Sequence, residues 1–304
     1  MGPVDPILLL GAYGQLGSDL QKALPAVIPL KRADLDVTDP AAVDRALATH
    51  TPAWVINTAA FHRVDDIESD PEATRQAFLV NAAAAHHLAR ACTRHRARLL
   101  QLSTDYVFSG GQDGNPAGPY TEDAVPTPMS AYGASKLAGE QLIRLATPPD
   151  RQTEAHIIVR SSGLYGVSGS AGKGGNFVET MLRLAREGKR IQVVDDQVLT
   201  PTYTVDLAFA IARLVSVNPP GGVYHLTSGG SCSWYEFARK IFAICGLKPD
   251  VTPTSSAAFG APAKRPSPNG VLTNARAAVL GLSPLRPWPE ALEAYLRAKG
   301  HLGR

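Results

Sequence analysis

Short, almost wholly apolar runs alternate with longer amphipathic ones through the first half of the chain. The segments ILLL (7–10), VIPL (27–30), WVIN (54–57), RLLQLS (98–103) and HIIVR (156–160) predict strands buried on both faces. Between them, Ala-rich stretches at 15–24, 40–49, 71–95 and 130–146 predict helices. Strand and helix in strict alternation imply a parallel sheet wrapped on both sides, an α/β, doubly wound class of fold. Pro40 and Pro71 fall near helix starts, where proline is tolerated, and Pro25 fits the turn after the first helix. Pro29 lies inside the second strand and blurs its limits. After Ser161 the alternation loosens. A Gly/Ser-rich loop, SSGLYGVSGSAGKGGN, precedes a helix at about 177–188 and a strand at 190–194. Helices at about 205–216 and 234–246 flank the strand GVYHL, and the proline-rich PAKRPSPNG leads to a last helix around 288–299.

Composition narrows the class without choosing a chemistry. Among 304 residues, 44% are hydrophobic and 19% charged, which fits a folded globular chain rather than a disordered one. The net charge of +3 is small and scattered, with no basic run or aromatic stripe for nucleic acid. No apolar run reaches the roughly 18 residues of a membrane span. The opening segment is too short and lacks the basic start of a signal peptide, so a soluble cytoplasmic protein is expected. Cys92, Cys232 and Cys245 are odd in number and lack metal-type spacing; they read as reduced, mostly buried thiols.

The chemistry gathers where strands end. Gly11, Gly14 and Gly17 follow the first strand and open the first helix, where glycines permit a tight turn and close approach of a pyrophosphate. After the second strand the chain reads PLKRADLDV. Basic Lys31 and Arg32 precede any acid, which favours a 2′-phosphate and hence NADPH, with NADH as the alternative. The third strand runs into NTAAF, whose Ala59 and Ala60 are small enough to pass under a cofactor; the fourth runs into Ser103 and Thr104. The AYGASK helix follows, and its Tyr132 and Lys136, four apart, share one helical face. These features predict an NADP(H)-binding Rossmann-like domain over 1–160. Residues 161–304 would form mainly a smaller substrate lobe interleaved with it.

The ordered motifs resemble the extended short-chain dehydrogenase/reductases. The segments VDDIESDPE, YGASKLAGE, GGNFVETMLRLA, DDQVLTPTYTVDLA, GVYHLTSGG and AKRPSPNGVLTNA are similar, over nearly the whole chain, to the dTDP-4-dehydrorhamnose reductase family. The resemblance implies NADPH-dependent reduction of the C4 ketone of dTDP-4-dehydro-L-rhamnose. Tyr132 would be the proton donor, its pKa lowered by Lys136 and the oxidised nicotinamide. Lys136 would also bond the nicotinamide ribose, and Thr104, with Ser103 as its neighbour, would bond the reacting oxygen. The implied cofactor set is Gly11, Gly14, Gln15, Leu16, Gly17, Lys31, Arg32, Asp36, Val37, Ala59, Ala60, Tyr132 and Lys136, with Asp36 meeting the adenine. The implied substrate set is Thr104, Asp105, Tyr106, Tyr132, Asn176 and Arg265, the last two toward the nucleotide and diphosphate. Some relatives bind Mg2+ at a subunit interface; no ligand set for it is located here, and a homodimer is compatible with the resemblance.

Two positions depart from the family pattern. Gly163 stands where relatives often carry a sugar-packing Trp, and His62 where Thr is common; His62 reads as a structural histidine. Both would reshape the sugar pocket. The competing readings are another nucleotide-sugar 4-ketoreductase, an epimerase that keeps its NAD, or a non-catalytic partner like the regulatory subunit of methionine adenosyltransferase.

Overall fold

Strand formation follows the apolar runs closely. In the computed structural model, which describes residues 6–24, 26–115, 117–147, 156–168, 175–282 and 285–302, five strands lie where the runs place them. They are β1 (Ile7–Leu10), β2 (Val27–Leu30), β3 (Trp54–Asn57), β4 (Arg98–Thr104) and β5 (Ile157–Ser161). A sixth, Gly222–His225, comes from the second half of the chain and pairs with β5. All neighbours are parallel, in the order Gly222–His225, β5, β4, β3, β1, β2. Pro29 is accommodated because β2 is an edge strand, bonded to β1 alone. Pro25 and residues 169–174 of the Gly/Ser-rich loop lie outside the described residues.

The two-residue period of a strand explains the layering. On β1, Ile7 and Leu9 join a core with Leu16, Leu20, Leu207 and Ile211, from helices Gln15–Ala23 and Thr204–Val217. Leu8 and Leu10 face the other way, onto Val43, Leu47, Leu88 and Ala89 of helices Pro40–His50 and Ala84–Arg94. A separate cluster, including Tyr165, Leu182, Phe237, Ile241, Leu292 and Tyr295, builds the second lobe. None of the helices among the described residues is long and apolar enough to cross a membrane.

Helix starts follow local rules. Asp39 and Asp70 accept backbone N–H bonds at the first turns of the helices opened by Pro40 and Pro71. The segment expected as one helix over 71–95 is instead Pro71–Phe78, a π-helical turn Leu79–Ala83, and Ala84–Arg94. Buried Asn81 sits in that wider turn. Its Oδ1 accepts the Phe61 N–H (2.9 Å), and its Nδ2 donates to Phe61 O (2.9 Å) and Ser135 Oγ (3.0 Å). A short helix, Val64–Ser69, and a strand, Val251–Thr254, also form where the apolar pattern predicts neither.

Candidate active site

In such sheets the crevice opens outside the carboxyl ends of the strands, where strand order reverses. Here the reversal lies between β1 and β3, since β2 sits on one side of β1 and β3 on the other. A cavity of about 520 Å³ occupies this place. It is lined from the first half of the chain by Gly11, Gly14, Gln15, Leu16, Thr58, Ala59 and Ala60, and by Ser103 to Tyr106, Tyr132 and Lys136. Asn176, Phe177, Trp234 and Arg265 close it from the second half.

The glycine loop fits a dinucleotide on steric grounds. Gly11 has φ +71, and a Cβ there would lie 2.7 Å from Ala59 N, so the β1 and β3 loops touch only because it is glycine. A Cβ on Gly17 would stand 2.2 Å from the carbonyl oxygen of Gly11, forcing helix Gln15–Ala23 away from the turn. The amide Nε2 of Gln15, on the cavity wall, is buried without a hydrogen-bond partner and is a donor available to a ligand. Gly17, Lys31, Arg32, Asp36 and Val37 do not line the cavity; Gly17 lies in helix Gln15–Ala23 and the other four follow β2. Asp36 accepts from Thr38 Oγ1 (2.7 Å) and Thr38 N (2.9 Å) and stands 3.6 Å from exposed Arg32. The Thr38 bonds, ahead of Arg32, hold its carboxyl below the usual range.

Tyr132 and Lys136 lie on the buried face of helix Ala131–Ala146, which Ser130 caps by accepting the Gly133 N–H at 3.1 Å. Lys136 Nζ donates to the carbonyl of Leu102 at 2.7 Å, tying the helix to the end of β4. Burial pushes its pKa down to about 8, against the pull of Glu140. The expected lowering of the Tyr132 pKa, by Lys136 together with the oxidised nicotinamide, concerns the loaded site; in the protein alone burial dominates. Burial, followed by Tyr106 and Asp105, pushes the phenol well above its ordinary value, and only a hydrogen bond with Thr104 opposes this. The bond to the Leu102 carbonyl uses one of the three N–H donors of the ammonium and leaves the others for a ligand. Tyr106 packs edge-on against Tyr132, with ring centroids 5.3 Å apart.

At the end of β4, neighbouring hydroxyls diverge. Thr104 Oγ1 donates to Asp105 Oδ1 (3.0 Å), and Ser162 donates to Asp105 Oδ2 (2.7 Å). Burial raises the Asp105 pKa to about 6 in spite of these bonds. Ser103, expected only as a neighbour of Thr104, lines the cavity and donates to Glu140 Oε1 at 2.6 Å. Glu140 is clasped by Arg160 through Nε (2.9 Å) and Nη2 (2.6 Å), an ion pair with both side chains 1% exposed. Glu140 was findable as the next rung after Tyr132 and Lys136 at four-residue spacing. Arg160, on another strand, carried no local signal.

The second lobe brings Asn176 and Arg265 to the same cavity. Asn176 already uses its amide in the fold. Nδ2 donates to Gly166 O and Tyr295 Oη (both 3.0 Å), while Oδ1 caps helix Phe177–Arg186 through Glu179 N. Gly163 has φ +56 and lines the cavity; Leu199 Cδ1 lies 2.8 Å from where its Cβ would stand. His62 lies exposed on the cavity wall, with Nδ1 3.3 Å from Ala60 O. Cys92 and Cys232 are buried free thiols, with pKa values raised by burial, and Cys245 is partly exposed. Among the described residues no group of three or more His, Cys, Asp or Glu is arranged to hold a metal ion.

A match to the RmlD substrate binding domain spans residues 5–300. The chain belongs to that family. It is 41% identical to dTDP-4-dehydrorhamnose reductase of Streptomyces griseus, over 98% of this chain and 95% of that protein. It is 40% identical to dTDP-4-keto-6-deoxy-D-glucose reductase of Streptomyces niveus, over 95% of each. The crystal structure of dTDP-4-dehydrorhamnose reductase from Bacillus anthracis in complex with NADP superposes with a TM-score of 0.85. Its sequence identity is 36%, with 97% of this chain and 99% of that one covered.

Proposed function

We propose that this protein reduces the C4 ketone of dTDP-4-dehydro-L-rhamnose to give dTDP-L-rhamnose, with NADPH as reductant. The observation that carries the reading is the convergence of Thr104, Tyr132 and Lys136 with the glycine loop on one cavity at the strand-order reversal. The relatives named above act on dTDP-linked 4-keto sugars or carry that name, and one was solved with NADP. When bound, the dihydronicotinamide supplies the hydride. Gly11, Gly14, Gln15, Leu16 and Gly17 would hold the pyrophosphate, Ala59 and Ala60 would pass beneath the dinucleotide, and Lys136 would bond the nicotinamide ribose. Lys31 and Arg32 would meet the 2′-phosphate, and Asp36 with Val37 the adenine.

Tyr132 then gives its phenolic proton to the ketone oxygen as that oxygen becomes an alkoxide, and Thr104 orients the same oxygen. A phenol carries its proton at neutral pH even at its ordinary pKa of about 10, so the donor starts loaded. Burial weakens it as an acid, and the charges of Lys136 and of the oxidised nicotinamide would favour release of the proton. Asp105 and Tyr106 would contact the sugar. The N-terminal end of helix Phe177–Arg186, capped by Asn176, and the fork of Arg265 would receive the diphosphate. In this reading residues 1–160 form the NADPH domain, and 161–304 mainly the sugar-nucleotide lobe. The strand Gly222–His225 is the part of the second half returned to the sheet.

Gly163 and exposed His62 favour a second reading, a different dTDP-linked 4-keto sugar, because both shape the wall where the sugar would sit. The test is NADPH oxidation with enzymatically made dTDP-4-dehydro-L-rhamnose alongside dTDP-4-keto-6-deoxy-D-glucose. Oxidation matched by dTDP-L-rhamnose formation is expected. Turnover of only the second sugar would select the alternative, and turnover of neither would refute the ketoreductase assignment.

A further inference from the structure

The helix Val64–Ser69 carries two carboxylates three residues apart, Asp65 and Glu68, which reach toward different parts of the site. Glu68 Oε1 accepts the N–H groups of Ala131 (2.7 Å) and Tyr132 (3.3 Å). These are two of the four donors that a helix start leaves without an intrahelical partner. Asp65 accepts from Arg265 Nη2 (3.2 Å to Oδ2, 3.4 Å to Oδ1) and from Ala263 N (3.3 Å). Arg265 Nη1 in turn donates to Ala263 O at 3.1 Å. Beneath both carboxylates, Val64 and Ile67 pack in one apolar cluster with Tyr132 and Ala263. One six-residue helix therefore bonds to the helix that bears Tyr132 and to the arginine that lines the same cavity.

We propose that Asp65 and Glu68 are paired positioning residues, a splint between the proton donor and the diphosphate-binding arginine. The proposal rests on the substrate class given above. Glu68 fixes the first turn of the catalytic helix, and with it the place of Tyr132. Asp65 holds the guanidinium of Arg265 from one side, leaving others of its five N–H donors for a phosphate. The Asp65 side chain is 46% exposed, so solvent screens the repulsion its charge would exert on a diphosphate. Orientation of Arg265 is then the larger effect.

The two halves separate in kinetics. For Glu68→Ala we expect kcat to fall about tenfold, with the sugar-nucleotide KM and NADPH affinity held within about threefold, because the misplaced group acts in the chemical step. Glu68→Gln should recover most of kcat, since its amide oxygen still accepts. Asp65→Ala, which removes the acceptor of Arg265, should raise the KM, and the calorimetric Kd for dTDP, about tenfold while kcat stays within about threefold. Equal proportional losses of kcat and KM in both variants, or thermal midpoints that fall without either kinetic signature, would overturn the splint. A wild type that binds dTDP yet leaves dTDP-4-dehydro-L-rhamnose unreduced would refute the substrate, not the splint. The dTDP affinity of Asp65→Ala then decides, and an unchanged value refutes the proposal. A wild type that binds no dTDP overturns both.

Discussion

Tyr132 and Lys136 stand in the geometry that their spacing suggests, but their acidities are set by burial more than by each other. The phenol is held protonated, and the lysine is brought close to neutrality at about 8. Tyr132→Phe keeps the ring and deletes only the acid. We expect turnover to drop about 10²- to 10⁴-fold, with NADPH affinity, read by fluorescence titration, within a fewfold. A rate near wild type with the true sugar would exclude Tyr132 as donor. The lysine makes a separate pH prediction. A pKa lowered to about 8 means that the ammonium is present below that pH and lost as pH rises through it. kcat/KM, which reports the free enzyme, should therefore decline above pH about 8. Lys136→Ala should show weaker NADPH binding, a lower rate and no such limb. A wild-type profile flat to pH 10 would show that this cation is not required.

At the scale of elements, the end of β2 makes the coenzyme choice. Lys31 and Arg32 are exposed there, and the 3.6 Å pair of Arg32 with Asp36 is too exposed to hold the guanidinium firmly. Both cations are thus available to a 2′-phosphate. One charge-assisted bond of about 1.5–3 kcal/mol, discounted for exposure, corresponds to a preference for NADPH over NADH of about tenfold. Matched titrations should find that preference reduced in Lys31→Ala/Arg32→Ala through weaker NADPH binding, with NADH barely changed; equal wild-type affinities would mean that the pair only faces water. Such element ends were legible because strand and turn chemistry are local: ILLL before three glycines, or a Ser130 cap before AYGASK. Helix Val64–Ser69 was not, since six residues hold too little periodicity and its start has no side-chain cap. The π-helical turn at Asn81 escaped for another reason. It coincides with bonds between Asn81 and Phe61, twenty residues earlier, which no local pattern encodes. Ser103 shows the same limit in the site. Sequence placed it at the right strand end, while its direction depended on Glu140, thirty-seven residues on.

For the whole molecule, the feature with the widest reach is the late strand Gly222–His225, which lies against β5 and returns the second half of the chain to the sheet. During synthesis β5 emerges roughly 65 residues before its outer partner. At ribosomal rates of about 5–20 residues per second, that is an interval of about 3 to 13 seconds. Until then the nascent sheet ends in an open row of N–H and C=O groups on IIVRS, a template for pairing with another nascent chain. A chain stopped after Val217 should freeze this state. It should sediment as aggregate where the full chain remains in solution, and a monodisperse product would show that β5 needs no partner. In the living cell, the vulnerable moment of this protein is therefore a stretch of translation, and a pause between codons 162 and 222 should lower yield without altering a single residue of the finished enzyme.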